Sequence, residues 1–500
     1  VSKRLGASHA LASLAGEGLR DDLFEAFGRD GDLLLAAAMG QIMSGGPMSS
    51  LEPELEGGMA RELLGVASRL DPPRLTELTA RLGASAEGME DLFRIRTSRA
   101  SGVLAYDITS VSTYGTMGGW ADWGYNRDGE RLRQVNVGLV TDMRGVPTMF
   151  ELYPGPIADV STLERTVERV LGFGAGSCVL SIDRAFGSAH NLRHLIGSGM
   201  PFVTPSRSRT RCARELVTRL AALRNDPDAV RVHGDEAYTV LECQVAVVPK
   251  RRRSEPESPD EDNDTADLEL VLPDDPRFDG AAHRMTAHAC YNARKAGEAR
   301  SAMQKGMKRV EGELRAMEPW AAVKGLKRVA GDYARFFELA VEDGSLSVRV
   351  KRNALSAAMN KEGAFVMFSS GVGAWSDMMA CYDCRAQVEQ AFDALKNQLD
   401  GDRWRTADIV AARGRMTVKF VALIMWCEAV RRLKDARIAM PAATALQHLD
   451  NVMALGDGSA WRVTEVTAKN RKILAALGAP GLPKALRTAA YDYLPRAYQE

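Results

Sequence analysis

Cys381–Asp400 reads CYDCRAQVEQAFDALKNQLD. Wound as one helix, it sets Tyr382, Arg385, Glu389 and Lys396 three, four and seven residues apart, spacings that bring them near one face. Val388, Phe392, Leu395 and Leu399 form an apolar stripe beneath them. A surface helix disperses its charges. This one gathers a carboxylate, two cations and a phenol, so it aims an acid into a basic surrounding, as a site for a phosphate substrate requires. The same residues also fit a plain amphipathic helix carrying an i,i+4 Arg385–Glu389 pair.

The sequence upstream bears on that choice. Gly102–Asp107 (GVLAYD) is a short apolar run with Asp107 at or near its end, and Gln134–Asp142 and Val146–Tyr153 follow as strands of a meander. Asp159–Leu171 reads as a helix, Ser177–Asp183 as a buried strand that again ends in a carboxylate, Asn191–Ile196 as a helix and Pro201–Thr204 as a strand. This order predicts an α/β fold, a mixed sheet with helices on its faces. Each aspartate alone is also an ordinary turn or cap residue. If their strands are neighbours, however, Asp107 and Asp183 can share a divalent ion, and a third acid on a helix packed against the sheet completes a three-carboxylate site. Hard oxygen donors suit Mg²⁺ or Mn²⁺. Two such ions can activate an attacking oxygen and stabilise a leaving one.

The remaining sequence surrounds this core. Residues 1–95 read as a helical region for DNA binding or dimerisation, with helices over Leu19–Phe27, Asp32–Ile42, Glu54–Leu70 and Arg74–Leu82. Residues 96–207 and 365–435 form the expected catalytic domain, which Thr406–Leu433 completes as a helix packed on the sheet. Residues 208–364 read as an insertion with a hairpin over Ala229–Val248, a charged Pro-rich loop at 251–276 expected to be disordered, and a long helix over Ala293–Met317. Residues 436–500 read as a helical C-terminal region.

Sixty-five basic residues balance sixty-five acidic ones, which argues against binding nucleic acid over the whole surface. Local segregation argues the other way. Arg207, Arg209 and Arg211 open an arginine-rich stretch expected to contact DNA, and residues 403–437 are basic. Seven cysteines form no disulfide framework, and the Cys381/Cys384 pair lacks the second pair or nearby histidine of a zinc site. A reducing cytoplasm is therefore the expected compartment. No signal peptide is expected from the opening residues, and the longest apolar run, Phe420–Trp426, is too short to span a bilayer. No GxxxxGK[ST] loop is present, so no nucleotide cofactor is expected. Trp120 and Trp123 are candidates to stack on a base or simply to pack.

Tyr382-x2-Arg385-x3-Glu389-x6-Lys396 matches, position for position, the Y-(2)-R-(3)-E-(6)-K signature of IS4-type transposases, and the chain resembles that superfamily. Gly124–Asp159 (GYNRDGERLRQVNVGLVTDMRGVPTMFELYPGPIAD) is similar to the branch called IS1634-like, and Asp183-Arg184-Ala185-Phe186 resembles its second-aspartate block. Two departures stand out. No histidine occurs in 381–440, and Arg403-Trp404-Arg405 replaces a more usual Arg-Pro-Val-Tyr-like stretch.

The resemblance implies an RNase H-like domain interrupted by a mainly β insertion. It implies a DDE triad of Asp107, Asp183 and Glu389, catalytic and holding Mg²⁺ (or Mn²⁺), with Tyr382, Arg385 and Lys396 on DNA phosphates near the scissile bond. One ion would lie between Asp107 and Asp183, and Glu389 would help hold a second. Water would cut at the transposon end, and the freed 3′-OH would attack the target strand in line, with neither a covalent protein intermediate nor ATP. The implied partners are double-stranded DNA, at the terminal inverted repeats and the target, and a second copy in a synaptic dimer. The implied setting is a bacterial cytoplasm, at the nucleoid when DNA is bound. Three rivals stay open: a metal-dependent nuclease of the same fold, a DNA-binding relic without activity, and an α/β protein whose acids are caps and ion-pair members.

Overall fold

The strand Val103–Thr113 is buried along its whole length. Strands that read as near-continuous apolar runs lie covered on both faces, and VLAYDITSVST does so with small hydroxyl side chains filling its second half. The computed structural model describes residues 1–16, 18–123, 132–155, 159–207, 210–251, 268–457 and 460–487, leaving aside the side chains of 159–161. It divides into two units, one of Val1–Phe186, Ser198–Phe202 and Ala380–Glu500, the other of Gly187–Gly197 and Val203–Met379.

In the first unit Val103–Thr113 pairs antiparallel with Arg133–Asp142, which pairs antiparallel with Pro147–Pro154. On its other edge Val103–Thr113 runs parallel to Val179–Ile182, and further along it runs parallel to the short strand Arg403–Trp404. The result is a mixed sheet within an α/β architecture. The expected first strand is longer than GVLAYD, and Asp107 lies in its interior rather than at its end. The hydroxyl-rich continuation ITSVST lacks apolar alternation, but it is paired throughout with Arg133–Asp142, and Ser112 and Thr113 also with Arg403–Trp404, so it stays extended.

Helices enclose this sheet. Ile409–Asp435 is buried over most of its length, and Phe420 meets Phe93 and Phe150 with ring centroids 5.5 Å and 5.2 Å away. It crosses Pro72–Ala84 at a glycine contact. A Cβ on Gly83 would fall 1.9 Å from the Val410 carbonyl oxygen, and one on Gly414 1.7 Å from that of Thr79. Only glycine allows the two backbones so close. The N-terminal region is helical, but Glu54–Leu70 is not one helix. Gly57-Gly58 and Gly65 divide it into Leu51–Gly57, Ala60–Leu64 and a non-helical end. The C-terminal region is not wholly helical either. Ser2–Arg4, Met453–Gly456, Ala460–Val463 and Ala485–Arg487 form a four-stranded sheet, so the first residues supply a strand to the last part of the chain.

The second unit is built on antiparallel strands. Ala364–Ser370, His283–Tyr291 and Glu236–Pro249 are neighbours in that order, and both Val230–His233 and Leu268–Val271 pair with Glu236–Pro249. A hairpin of Phe337–Glu342 and Ser345–Val350 stands apart, packed with Ala293–Arg315 and Pro319–Ala330 around Met307, Val310, Leu314, Phe336 and Phe337. This region is mixed α/β, not mainly β. The arginine-rich stretch hides a helix, Arg211–Ala221, whose Cys212, Ala213, Leu216 and Leu220 recur at helical spacing and are buried. Of the expected loop at 251–276, residues 252–267 lie outside the described residues. Residues 268–271 are strand, and Arg277 pairs with Glu269 and Asp275.

Candidate active site

Register places the two aspartates. Tyr106 is the last residue of its strand aligned with Val179–Ile182, and its partner is Ile182. Asp107 is the next residue of its strand and Asp183 the first residue beyond Ile182, so the two follow a matched pair on neighbouring parallel strands, whose spacing is about 4.8 Å. Asp183 follows the strand and starts a tight turn, with the Phe186 amide donating to its carbonyl at 3.0 Å. Phe186 then tucks beneath, 5.2 Å from the Tyr106 ring. From Asp107 to Val111 the strand edge lies between the end of the Val179–Ile182 pairing and the start of the Arg403–Trp404 pairing. The two carboxylates thus border an interval in the parallel ladder. Asp107 is 8% exposed, and one of its oxygens accepts from the Ile108 amide at 2.8 Å.

Glu389 arrives from a different element. The stretch 381–400 is two helices, Trp375–Asp383 and Arg385–Asn397, that meet at Cys384. The expected single helix is corrected here: Tyr382 lies in the last turn of the first and the other three signature residues lie on the second. Val388, Ala391, Phe392, Ala394 and Leu395 bury the inner face of that second helix. Its outer face carries Glu389, whose side chain is 54% exposed.

Arg385 ties the pieces together. Its Nη2 lies 2.6 Å from Glu389 Oε1 and 3.4 Å from Asp183 Oδ1, so those two oxygens are within about 6 Å of each other, the sum of the two distances. Its Nη1 donates to the Tyr382 hydroxyl at 3.2 Å. Burial pushes the Arg385 guanidinium down, but Asp183, Tyr382 and Glu389 together outweigh it and hold it above its ordinary value. Arg385 Nε is buried without a hydrogen-bond partner. A planar guanidinium can bridge two acids in this way, where a lysine would act as a point charge. Lys396 occupies the last turn of the Glu389 helix. Arg207 and Arg211 belong to the second unit, Arg211 as the first residue of its buried-stripe helix, and Arg209 lies outside the described residues.

The far end of the Glu389 helix is held by two residues that motif reading passes over. Lys419, from inside Ile409–Asp435, donates to the Leu399 and Asp400 carbonyls, the second at 2.7 Å. Gln41 Nε2 donates to the Leu399 carbonyl at 3.2 Å. Burial pushes the Lys419 ammonium down to about 8 against the pull of Asp400. A signal existed in the sequence: a lysine embedded in MTVKFVALIMW must find partners if that helix is buried.

Asp107, Asp183 and Glu389 supply only carboxylate oxygens, a donor set that fits Mg²⁺ or Mn²⁺. Among the described residues, no group of three or more His, Cys, Asp or Glu is arranged to hold a metal ion. Arg385 stands between two of the acids instead. No described helix is long and apolar enough to cross a membrane.

A family model described as "Transposase DDE domain" matches residues 98–425. None of the curated proteins matches the chain significantly.

Proposed function

The chain belongs to the transposase DDE-domain family, and within it we propose a cut-and-paste DNA transposase of the IS1634-like branch, built on an RNase H-like core. The observation that supports this reading is Arg385, which pairs with both Glu389 and Asp183, the latter following Ile182 as Asp107 follows Tyr106 in the paired strands.

Asp107 and Asp183 are the residues that would hold a divalent ion, with Glu389 completing the set when Arg385 turns from the acids toward DNA. Bound there, Mg²⁺ or Mn²⁺ supplies Lewis-acid activation of the attacking oxygen and charge stabilisation at the leaving one. The protein's own part is positioning and electrostatics. Asp107, buried and fixed in a ladder, keeps its carboxylate where it cannot drift. Arg385 keeps Glu389 and Asp183 from repelling each other while no substrate is present, then offers its planar fork to a phosphate. Tyr382 steers that guanidinium through its hydroxyl. Lys396, further along the same helix, adds a cation for the DNA backbone, and Lys419 and Gln41 hold the helix end so that Glu389 keeps its height over the sheet. Residues 1–95 and the arginines at 207 and 211 add contacts to end and target DNA, and a second copy of the chain pairs two ends.

A pre-cleaved transposon end with a free 3′-OH, incubated with the protein, plasmid DNA and Mg²⁺, tests the reading. Joined products are expected. A protein that cuts end DNA but never joins it is a nuclease of the same fold, and one that binds without cutting or joining is a relic.

A further inference from the structure

Two large aromatic side chains lie exposed at one end of the first unit's sheet. Tyr114, just beyond Val103–Thr113, is 56% exposed, and Trp123 is 60% exposed. Burying aromatic surface is among the stronger contributions to packing, so two such residues left in water ask for an occupant. Neither stands apart from charge. The Arg405 guanidinium lies 5.9 Å from the Tyr114 ring centroid, and Arg403 Nη1 donates to the Tyr114 hydroxyl at 3.4 Å. The Arg133 guanidinium lies 6.0 Å from the Trp123 ring centroid.

The ladder shows how they come together. Arg403 pairs beside Ser112, Thr113 beside Arg133, and Asp122 bridges Gln134, so four neighbouring chain segments each bring an arginine or an aromatic to the same end. Tyr114 and Trp123 are two strand spacings apart, roughly 10 Å. Val103–Thr113 and Val179–Ile182 run parallel, so both strands run toward this end. Along the strand, Tyr114 is about 20 Å from Asp107.

We infer that Tyr114 and Trp123, with Arg133, Arg403 and Arg405, form a stacking platform for unpaired bases of single-stranded DNA leading away from the cleavage site. The inference rests on the proposed function, since it names which form of DNA this surface takes. Aromatic faces accept any base, and guanidinium groups beside them track the phosphates, the combination used by sequence-tolerant single-strand binders. An intact duplex hides its base faces in the stack and gains only the arginine contacts. The surface therefore discriminates between separated and paired strands, a useful property next to a site where a strand is cut and its end must be kept apart from its complement.

The test is fluorescence anisotropy of the full-length protein with labelled dT12 and with a 12-base-pair duplex, for wild type, Trp123→Ala, Trp123→Phe, Tyr114→Ala and Arg133→Ala. Trp123→Ala and Tyr114→Ala are each expected to weaken dT12 binding about tenfold, Trp123→Phe to keep most of the affinity, and duplex binding to change less than about twofold. Arg133→Ala is expected to lower the salt slope for dT12 by about 0.7, the loss of one phosphate contact. Unchanged dT12 binding in both aromatic variants overturns the inference. So does an equal loss on dT12 and duplex, which makes the surface a general phosphate binder, or a shift in sedimentation without loss of dT12 binding, which makes it a contact between copies of the chain. Mg²⁺-dependent cleavage of end DNA by wild type, measured beside these, separates the two readings: cleavage with no platform effect removes only the platform.

Discussion

Asp107 and Glu389 are offered as partners in one site, yet the molecule holds them by opposite means. Asp107 sits inside a fully buried strand, paired with Leu139 on its antiparallel side, and is 8% exposed. Glu389 stands on the outer face of a helix, 54% exposed, and its position depends on an ion pair with Arg385. One acid is fixed by backbone hydrogen bonds that no side-chain substitution touches. The other is set by a side chain that can let go. Under the proposed function, the strand pair would serve as a rigid platform and the helix would complete the site once Arg385 finds a phosphate.

That contrast can be broken most directly at the rigid half. Asp107→Asn and Asp183→Asn keep shape and hydrogen-bonding capacity while removing charge, and each is expected to lower end-DNA cleavage by on the order of 1,000-fold with thermal unfolding little changed. Arg385→Ala comes next, with an expected loss of about 100-fold in cleavage. Arg385→Lys should not restore it, because a point charge cannot bridge Asp183 and Glu389 as the guanidinium does. Full rescue by lysine would show that Arg385 contributes charge alone.

Smaller effects sharpen the account of how the helix is supported. Gly414→Ala forces a methyl group against the Thr79 carbonyl, so unfolding in denaturant should reveal a loss of about 1–3 kcal/mol. Lys419 gives a pH signature. Its folded value of about 8 lies below the ordinary 10.5, so the unfolded chain holds that proton more tightly, and charging Lys419 costs stability below pH 8. The cost fades as pH rises from 8 toward 10.5. Relative to Lys419→Met, wild type should therefore gain on the order of 2 kcal/mol between pH 7 and pH 10. A flat difference would mean that the two carbonyls it caps hold the ammonium charged throughout.

The sequence carried the strand and helix order of the first unit because apolar runs and turn residues there agree with the final ladder. Arg133–Asp142, Pro147–Pro154, Asp159–Gly172 and Ile409–Asp435 all fall within a few residues of their expected bounds. Local pattern failed where tertiary pairing decides. ITSVST became strand through neighbours from distant parts of the chain, and Ser2–Arg4 became strand only by meeting Met453–Gly456. Chemistry hid structure at Arg211–Ala221, where charge drew the eye from a buried stripe. At the candidate site, the four-residue spacing located Arg385 and Glu389, but neither spacing nor composition foretold that Arg385 would lie between two of the acids. Tyr382 meets Arg385 across the junction at Cys384. The anchors Lys419 and Gln41 belong to no motif, since their role depends on which carbonyls a distant helix leaves open.

The most direct test of the central claim, that these three carboxylates act as one site, is Mg²⁺- or Mn²⁺-dependent cleavage of the element's own end DNA by wild type and by Glu389→Gln. Wild type is expected to cut only with the ion present, and Glu389→Gln to bind the same DNA but cut at least about 100-fold more slowly. Equal cutting by the two proteins would contradict it, leaving Glu389 as no more than the ion-pair partner of Arg385.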